Sequence, residues 1–118
     1  MLRDYLLASK AVADEARIRI LKLLEKSELC VCQITAVTGL GQSTVSKHLG
    51  ILKNASLVEC RHMGTWVYYR LADSNLNKYN LPFLKLVSQS LNDDPKIGKD
   101  IEKLKDIIKI DPNILCRR

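Results

Sequence analysis

The sequence lacks the segments that would carry it into or across a membrane. No apolar run approaches the roughly 20 residues that a transmembrane helix needs. Residues 1–13 include Asp4 and Lys10 and lack the long apolar stretch and cleavage site of a signal peptide. We therefore expect a cytoplasmic protein with no membrane partner. Internal repeats and low-complexity segments are also missing, which predicts a single domain over residues 1–118.

The residues that enzymes and structural zinc sites use are scarce as well. His48 and His62 are the only histidines, and for His48 we expect a local packing or hydrogen-bonding role. No Cys-x-x-Cys pair or Cys/His spacing typical of structural zinc is present. Gly39 and Gly41 lack the third glycine of a dinucleotide-binding loop. We therefore expect neither an enzyme nor a structural metal.

Positive charge and apolar residues are what the sequence has in excess. Nineteen Lys and Arg against 13 Asp and Glu give a net charge of +6, a balance that favours polyanions such as nucleic acid. Hydrophobic residues make up 47% of the chain, which is enough for a globular core. A domain this small leaves much apolar surface uncovered, and an oligomer would bury that surplus.

Apolar residues recur at helical spacing along most of the chain. Helices are predicted at about residues 2–12, 14–26, 31–37, 42–54, 80–91 and 96–110. Asp14 is the expected N-cap of the second helix, and Asn80 that of the fifth, with Pro82 in its first turn. The polar residues of the second helix are expected to face solvent: Arg17, Arg19, Lys22 and Glu25.

The third and fourth helices form a predicted helix-turn-helix over about residues 31–54, joined by a turn that contains Gly39 and Gly41. Apolar residues spaced i, i+4, i+7 line the inner face of the second of these helices: Val45, Leu49 and Leu52. Polar and basic residues lie on its outer face, near the end where recognition helices contact base edges and phosphates. The candidate DNA contacts on this face are Gln42, Ser43, Thr44, Ser46 and Lys47.

Beyond the recognition helix the period of the pattern changes to two. Strands are predicted at Val58–His62 and Thr65–Leu71 with Met63-Gly64 as the tight turn, which gives a hairpin, or wing, over about residues 57–71. Near its tip, Arg61, His62 and Thr65 suit the phosphate backbone or a minor groove. The predicted fold is therefore α+β, mainly α with one β-hairpin: a winged helix-turn-helix of order ααααββαα that binds double-stranded DNA.

Three stretches of the chain resemble the ArsR/SmtB family of bacterial metal-responsive repressors. They are Ala13–Leu21, Glu28–Cys32, and Gln42–Leu52 continuing through Gly64–Leu71. The resemblance implies a homodimer on a roughly palindromic operator, with dimerisation helices at about residues 2–12 and 80–91. A C-terminal helix and tail would occupy about residues 96–118.

The stretch Glu-Leu-Cys-Val-Cys is similar to the inducer site of the arsenite-responsive members of that family, and it also occurs in cadmium- and lead-responsive members. The resemblance implies that As(III) or Sb(III) binds thiolates of Cys30 and Cys32. Thr35 stands where the best-known arsenite site has a third cysteine. The third ligand stays open among Cys116, Cys60 and a small-molecule thiol. We favour Cys116, since strand cysteines are more often buried apolar residues.

The spacing of the two neighbouring cysteines suggests how an ion could act. Residues two apart on a regular helix do not face each other, so one ion bridges Cys30 and Cys32 only if Cys30 precedes the helix or the first turn unwinds. The helix N-terminus also favours the thiolate form. Inducer binding is therefore expected to distort or tilt the support of the recognition helix.

Other triggers and other classes of protein remain open at this point. Cd(II), Pb(II) or thiol oxidation could release the same repressor. A cytosolic soft-metal buffer and a helix-mediated protein-interaction module are the alternatives outside DNA binding.

Overall fold

Residues 1–116 are described by the computed structural model. Its helices are α1 (Leu2–Val12), α2 (Glu15–Leu24), α3 (Val31–Thr38), α4 (Gln42–Asn54), α5 (Asn80–Ser88), α6 (Pro95–Ile107) and α7 (Pro112–Leu115). Its strands are β1 (Leu29–Cys30), β2 (Val58–Met63) and β3 (Trp66–Leu71). No helix of the described part combines the length and the apolar character that a membrane crossing requires.

The core lies where α2, α3 and α4 meet the sheet. The inner face of α4 is fully buried at Val45, Leu49 and Leu52, as the spacing predicts. Ile20 of α2 and Ile34 of α3 are equally inaccessible to solvent. Each buried aliphatic side chain of this kind contributes about 1.5–3 kcal/mol, so the helix-turn-helix is held rigidly against the rest of the domain.

The hairpin carries a third strand that the periodicity does not reveal. The strand order is β1-β3-β2, and all pairs are antiparallel. β1 has two residues, in which Leu29 pairs with Tyr69 and Cys30 with Tyr68. Two residues are too few to show an alternating pattern. The consequence for the site is that Cys30 is held by the wing on one side and starts α3 on the other.

The predicted turn of the hairpin is wrong by one residue. Met63 pairs with Trp66, so the two turn residues are Gly64 and Thr65. Gly64 has a φ of +62°, which is what a type II′ hairpin turn requires of its first central residue. The glycine therefore stands at the first central position, and Thr65 moves from a strand into the turn.

The prediction for the start of α5 is also corrected. Asn80 is a buried first residue of the helix, where its Nδ2 donates to the Ser74 carbonyl over 2.9 Å. The capping acceptor is Asn77, whose Oδ1 receives the backbone N–H groups of Tyr79 and Asn80. α5 ends at Ser88, three residues before the predicted end, and Leu91 follows in a left-handed conformation.

The last predicted helix is shorter than expected. Asp94 caps α6, which stops at Ile107 and not at Ile110. Pro112 disfavours a helical conformation for the residue before it, and Asp111 instead caps the short helix α7. This helix brings Cys116 back beside α3.

The polar face of α2 is the largest departure from the sequence prediction. Asp14 caps the helix as expected, since its side chain accepts from the Arg17 backbone N–H. Lys22 was expected in solvent but is 1% exposed, and Arg19 is also largely buried. Both side chains have partners more than 60 residues away, which periodicity within one helix cannot show.

Each of these cations closes a contact between α2 and a late helix. The Nζ of Lys22 donates to the carbonyls of Val87 (3.1 Å) and Ser90 (2.9 Å) and to the Asn92 Oδ1 (2.9 Å). Its ion-pair partner is Glu25 at 3.0 Å. The positive charge thus lies at the C-terminal end of α5, where the helix dipole favours it.

Arg19 makes the second of these contacts. Its guanidinium forms a two-pronged ion pair with Asp100 of α6, over 2.7 and 2.9 Å, and also donates to the Thr38 carbonyl at the end of α3. This ion pair raises the pKa of Arg19 above its ordinary value, through the hydrogen bond to Asp100 first. The polar face of α2 is therefore an internal surface.

Candidate DNA-binding surface and thiol site

The outer face of α4 is open. All five polar and basic residues that the sequence predicts as DNA contacts are exposed there: Gln42, Ser43, Thr44, Ser46 and Lys47. Gly41 is the N-cap and offers no side-chain cap, so the first backbone N–H groups of α4 are free to receive an anion.

His48, on the same helix, has the local role expected of it. It is half-buried, and the Arg17 Nη1 donates to its Nδ1 over 3.2 Å. The other nitrogens of the Arg17 guanidinium donate to backbone carbonyls at the end of α1. His48 therefore fixes α4 against α1 and α2 and is not part of the outer face.

The three candidate contacts of the wing are exposed, but one of them has a partner. Arg61 forms a two-pronged ion pair with Glu28, in which its Nε donates to Oε2 over 2.7 Å. The Arg61 guanidinium holds the pKa of Glu28 below its ordinary value. His62 and Thr65 are exposed on the same hairpin. A phosphate would thus compete with Glu28 for two of the three guanidinium nitrogens of Arg61.

Cys32 and Cys116 meet although 84 positions separate them in the sequence. Their sulfurs lie within bonding distance, and their Cα atoms are 5.5 Å apart. α7 positions Cys116, while the first turn of α3 positions Cys32. Of the two protein candidates for a third thiol, the structure therefore brings Cys116 to the site.

Cys60 lies elsewhere. It is half-buried on β2, and the Lys53 Nζ donates to its sulfur over 3.3 Å. It does not line the cavity that the other three cysteines share. Thr35, at the position of the family's third cysteine, does not line it either.

A pocket of about 540 Å³ lies between the cysteines and the candidate DNA-binding residues of α4 and the wing. We call it the thiol pocket. Its wall is formed by three cysteines and their neighbours, mostly on α4 and the wing: Cys30, Val31, Cys32, Cys116, Gln42, Ser43, Ser46, Thr65, Trp66 and Val67. The cysteines expected to bind an inducer and four of the expected DNA contacts therefore line one cavity.

Cys30 lies in this pocket but is 2% exposed. Its backbone N–H is occupied by the Gln33 Oε1 at 2.9 Å, and it is the N-cap of α3, outside the regular turn. A position of Cys30 before the helix is one of the two arrangements in which a single ion could bridge Cys30 and Cys32. Within residues 1–116 no three His, Cys, Asp or Glu side chains are already grouped as a metal site.

A hydrogen bond connects the site to the recognition helix directly. The Gln42 Nε2, at the first position of α4, donates to the Cys32 Sγ over 3.3 Å. The sequence predicts Gln42 only as a DNA contact and does not predict Trp66 or Val67 in the site. A residue separation of 10 between Cys32 and Gln42 across a turn gives no pattern from which this contact can be predicted.

Tyr68 and Glu28 are ionisable groups near Cys30. Tyr68 is its cross-strand neighbour, and burial first, with Cys30, Asp111 and Glu28 nearby, raises the pKa of Tyr68 above its ordinary value. Glu28 precedes β1 and is held by Arg61 of the wing. Chemically, the site offers soft sulfur donors beside neutral hydrogen-bonding groups, a donor set that selects thiophilic ions.

Comparison with known proteins identifies the family. Residues 14–59, from α2 into β2, match the family described as bacterial regulatory protein, arsR family. The arsenical resistance operon repressor of Bacillus subtilis (strain 168) is 40% identical over 78 residues, which cover 65% of this chain and 74% of that protein. The chain belongs to the arsR family of bacterial regulatory proteins. It is accordingly a DNA-binding transcriptional regulator and not an enzyme.

Further relatives extend the comparison to a cadmium-resistance regulator and to the fold. A cadmium resistance transcriptional regulatory protein CadC homolog of Staphylococcus aureus is 36% identical over 70 residues, covering 58% of each chain. The homodimeric winged helix-turn-helix domain Mb0332 of Mycobacterium bovis has a TM-score of 0.64 and 34% identity, covering 75% of each chain. The predicted winged helix-turn-helix fold is confirmed.

Proposed function

We propose that this protein represses a metalloid-resistance operon and leaves its operator when As(III) or Sb(III) binds the thiol pocket. The observation that carries the proposal is the meeting of the Cys32 and Cys116 sulfurs beside Gln42, the first residue of the recognition helix. In the reaction, As(OH)₃ and two thiols give a dithiolate-bound As–OH and two molecules of water. Cys30, in the same pocket, would displace the remaining hydroxide as water and become the third ligand.

The DNA-binding part of the proposal is supported by exposure and charge. The outer face of α4 is exposed, and the N-terminus of this helix has no side-chain cap. The net charge of +6 favours a polyanion. The Bacillus subtilis relative is named as an operon repressor, which supports repression as the outcome of binding.

A homodimer is the form in which we propose that the protein binds DNA. Apolar residues on α1 and α5 are exposed in the single chain: Leu2, Tyr5, Leu6 and Leu86. Edge-to-face contacts of Tyr5 with Tyr79 and Phe83 join these two helices. The Mycobacterium bovis relative is described as homodimeric. Operator half-sites should then lie about one or two helical turns apart.

The experiment is a titration of As(III), Sb(III), Cd(II), Pb(II) and Zn(II) against the protein bound to labelled DNA from upstream of its own gene. We expect As(III) and Sb(III) to release the DNA at the lowest concentrations. The CadC relative makes Cd(II) the principal competitor. Release by Cd(II) alone would assign the repressor to another ion, and failure to bind any upstream fragment would remove repression itself.

Cysteine variants locate the response. Cys32→Ser and Cys116→Ser should keep operator binding and raise the arsenite concentration needed for release by at least about tenfold, as loss of a metal-site contact does. Cys60→Ser is the matched control, because Cys60 lies outside the thiol pocket. An unchanged response in Cys116→Ser would exclude Cys116 as a ligand.

Thiol oxidation is a second candidate trigger, favoured by the same contact. The Cα separation of 5.5 Å between Cys32 and Cys116 is within the range of disulfides. A peroxide would oxidise the pair by the balanced reaction RSH + R′SH + H₂O₂ → RSSR′ + 2 H₂O. Cys30→Ala separates the two triggers, since it should weaken the arsenite response and leave peroxide-driven release intact.

A further inference from the structure

The thiol pocket and the DNA-binding surface share their side chains. Gln42, Ser43 and Ser46 of α4 and Thr65 of the wing are exposed, are expected to contact DNA, and also line the pocket. The cysteines line the same pocket, with Cys30 nearly inaccessible to solvent. A duplex seated on these four side chains would therefore cover the part of the pocket that they line.

The Gln42 side chain cannot contact Cys32 and a DNA base at the same time. Its amide nitrogen donates inward to the Cys32 sulfur over 3.3 Å. A bidentate contact with adenine needs the amide nitrogen and oxygen of one Gln side chain to point together at the base edge. A Gln42 side chain turned toward Cys32 is therefore turned away from the groove, and DNA contact leaves Cys32 without this donor.

We propose that operator and inducer exclude each other directly, because bound DNA closes the thiol pocket and claims Gln42. The inference rests on the proposed function and adds the mode of regulation. It differs from a tilt of α3 in one respect. A tilt permits a complex that holds DNA and inducer together, and coupling in such a complex is finite and reciprocal. Direct exclusion permits no such complex, so the inducer captures only protein that has already left the DNA.

The first test is the rate at which DNA dissociates. Reduced full-length protein is bound to the labelled upstream fragment and mixed with excess unlabelled fragment and increasing sodium arsenite. We expect the dissociation rate to change less than about twofold at every arsenite concentration, while the equilibrium shifts to free DNA. A dissociation rate that rises with arsenite and reaches a plateau would show a ternary complex and overturn the inference.

The second test is protection of the thiols. Iodoacetamide is applied to the reduced protein with and without saturating upstream DNA, and each cysteine is followed by peptide mass spectrometry. We expect DNA to slow alkylation of Cys32 and Cys116 about tenfold or more, and to leave Cys60, outside the pocket, within about twofold. Equal alkylation of Cys32 in free and bound protein would overturn the inference.

A variant that binds DNA less tightly completes this test. Lys47→Ala removes an exposed charge of α4 that does not line the pocket. At equal DNA concentration, protection of Cys32 should fall in proportion to the bound fraction. If the protection of Cys32 did not fall with the fraction of protein bound to DNA, DNA would not be what closes the pocket. If the wild type binds no upstream fragment, the proposed function fails with the inference. If arsenite releases DNA but accelerates its dissociation, only the inference fails.

Discussion

Helices α2 and α4 carry polar faces that look alike in the sequence and end in opposite surroundings. On α2, the ammonium of Lys22 and the guanidinium of Arg19 are buried against α5 and α6 by ion pairs and backbone carbonyls. On α4, the outer polar side chains from Gln42 to Lys47 remain exposed. The polar face of α2 therefore holds the domain together, and that of α4 is available to a partner.

The N-termini of the two helices differ in the same way. The carboxylate of Asp14 closes the N-terminus of α2 by accepting the Arg17 N–H over 3.0 Å. The N-terminus of α4 begins after Gly41 and has no side-chain cap. Since free N–H groups at a helix start attract anions, α2 has satisfied its own terminus and α4 has left room for a phosphate. The exposed polar groups and the uncapped N-terminus of α4 are therefore what make it the candidate DNA-binding surface.

The largest expected effect concerns the buried cation of α2. Lys22→Ala should destabilise the protein by about 3–5 kcal/mol, because it leaves the Glu25 carboxylate and the carbonyls at the end of α5 without their partner. Urea unfolding at fixed protein concentration, followed by circular dichroism, measures this loss. Lys47→Ala on α4 is the matched control and should stay within about 0.5 kcal/mol. If both variants lost the same free energy of unfolding, the polar faces of α2 and α4 would not differ in their contribution to stability.

A carboxylate placed at the N-cap of α4 should make the N-terminus of α4 resemble that of α2. Gly41 has an ordinary φ of −67°, and nothing lies within 4 Å of an added Cβ, so Gly41→Asp should fold at least as well as the wild type. The new charge should repel a phosphate at α4 and weaken operator binding by about 1–2 kcal/mol for the two helices of a dimer. That is roughly a five- to thirtyfold loss of affinity.

The neutral isostere is the control for this variant. Gly41→Asn offers the same cap without charge and should keep most of the affinity in a fluorescence anisotropy titration. If Asp and Asn weaken binding equally, then blocking the N–H groups, and not charge, is responsible. If neither weakens it, the N-terminus of α4 does not contact the DNA backbone.

The fold could be predicted from the sequence because its signals are local. Helical spacing locates α1 to α4, and the change to a period of two locates the wing, since each pattern arises from side chains within one element. β1 was missed because two residues carry no period, and the buried Arg19 and Lys22 were missed because their partners lie 65 to 81 positions away. Long-range polar contacts leave no mark on a local pattern.

In the candidate site, too, local features could be predicted and long-range contacts could not. Cys30 and Cys32 could be found from their spacing and their neighbours in the chain. The approach of Cys116 to Cys32 depends on the path of α6 and α7, and the sequence left Cys60 open as an alternative. The Gln42 contact with Cys32 depends on the angle between α3 and α4. The candidate ligands could thus be named in part from the sequence, and the contact of Cys32 with α4 could not.

The smallest expected effect tests the closed N-terminus of α2 through pH. The hydrogen bond from the Arg17 N–H, followed by the charge of Arg17, outweighs burial and holds the pKa of Asp14 below its ordinary value of 3.8. A carboxyl whose pKa is lower in the folded protein stabilises the fold above the unfolded value and loses that contribution as the pH falls through the folded value. Asp14→Ala should therefore cost about 1 kcal/mol at pH 7.

Asp14→Asn separates the charge from the cap, because Asn accepts the same hydrogen bond and does not titrate. Urea unfolding between pH 7 and pH 2 should show the wild type more stable than Asp14→Asn by a few tenths of a kcal/mol near neutrality. The two curves should converge as the pH falls below 3.8. A difference that stays constant over this range would mean that the Asp14 charge does not stabilise α2, and its N-terminus would then be closed by hydrogen bonding alone.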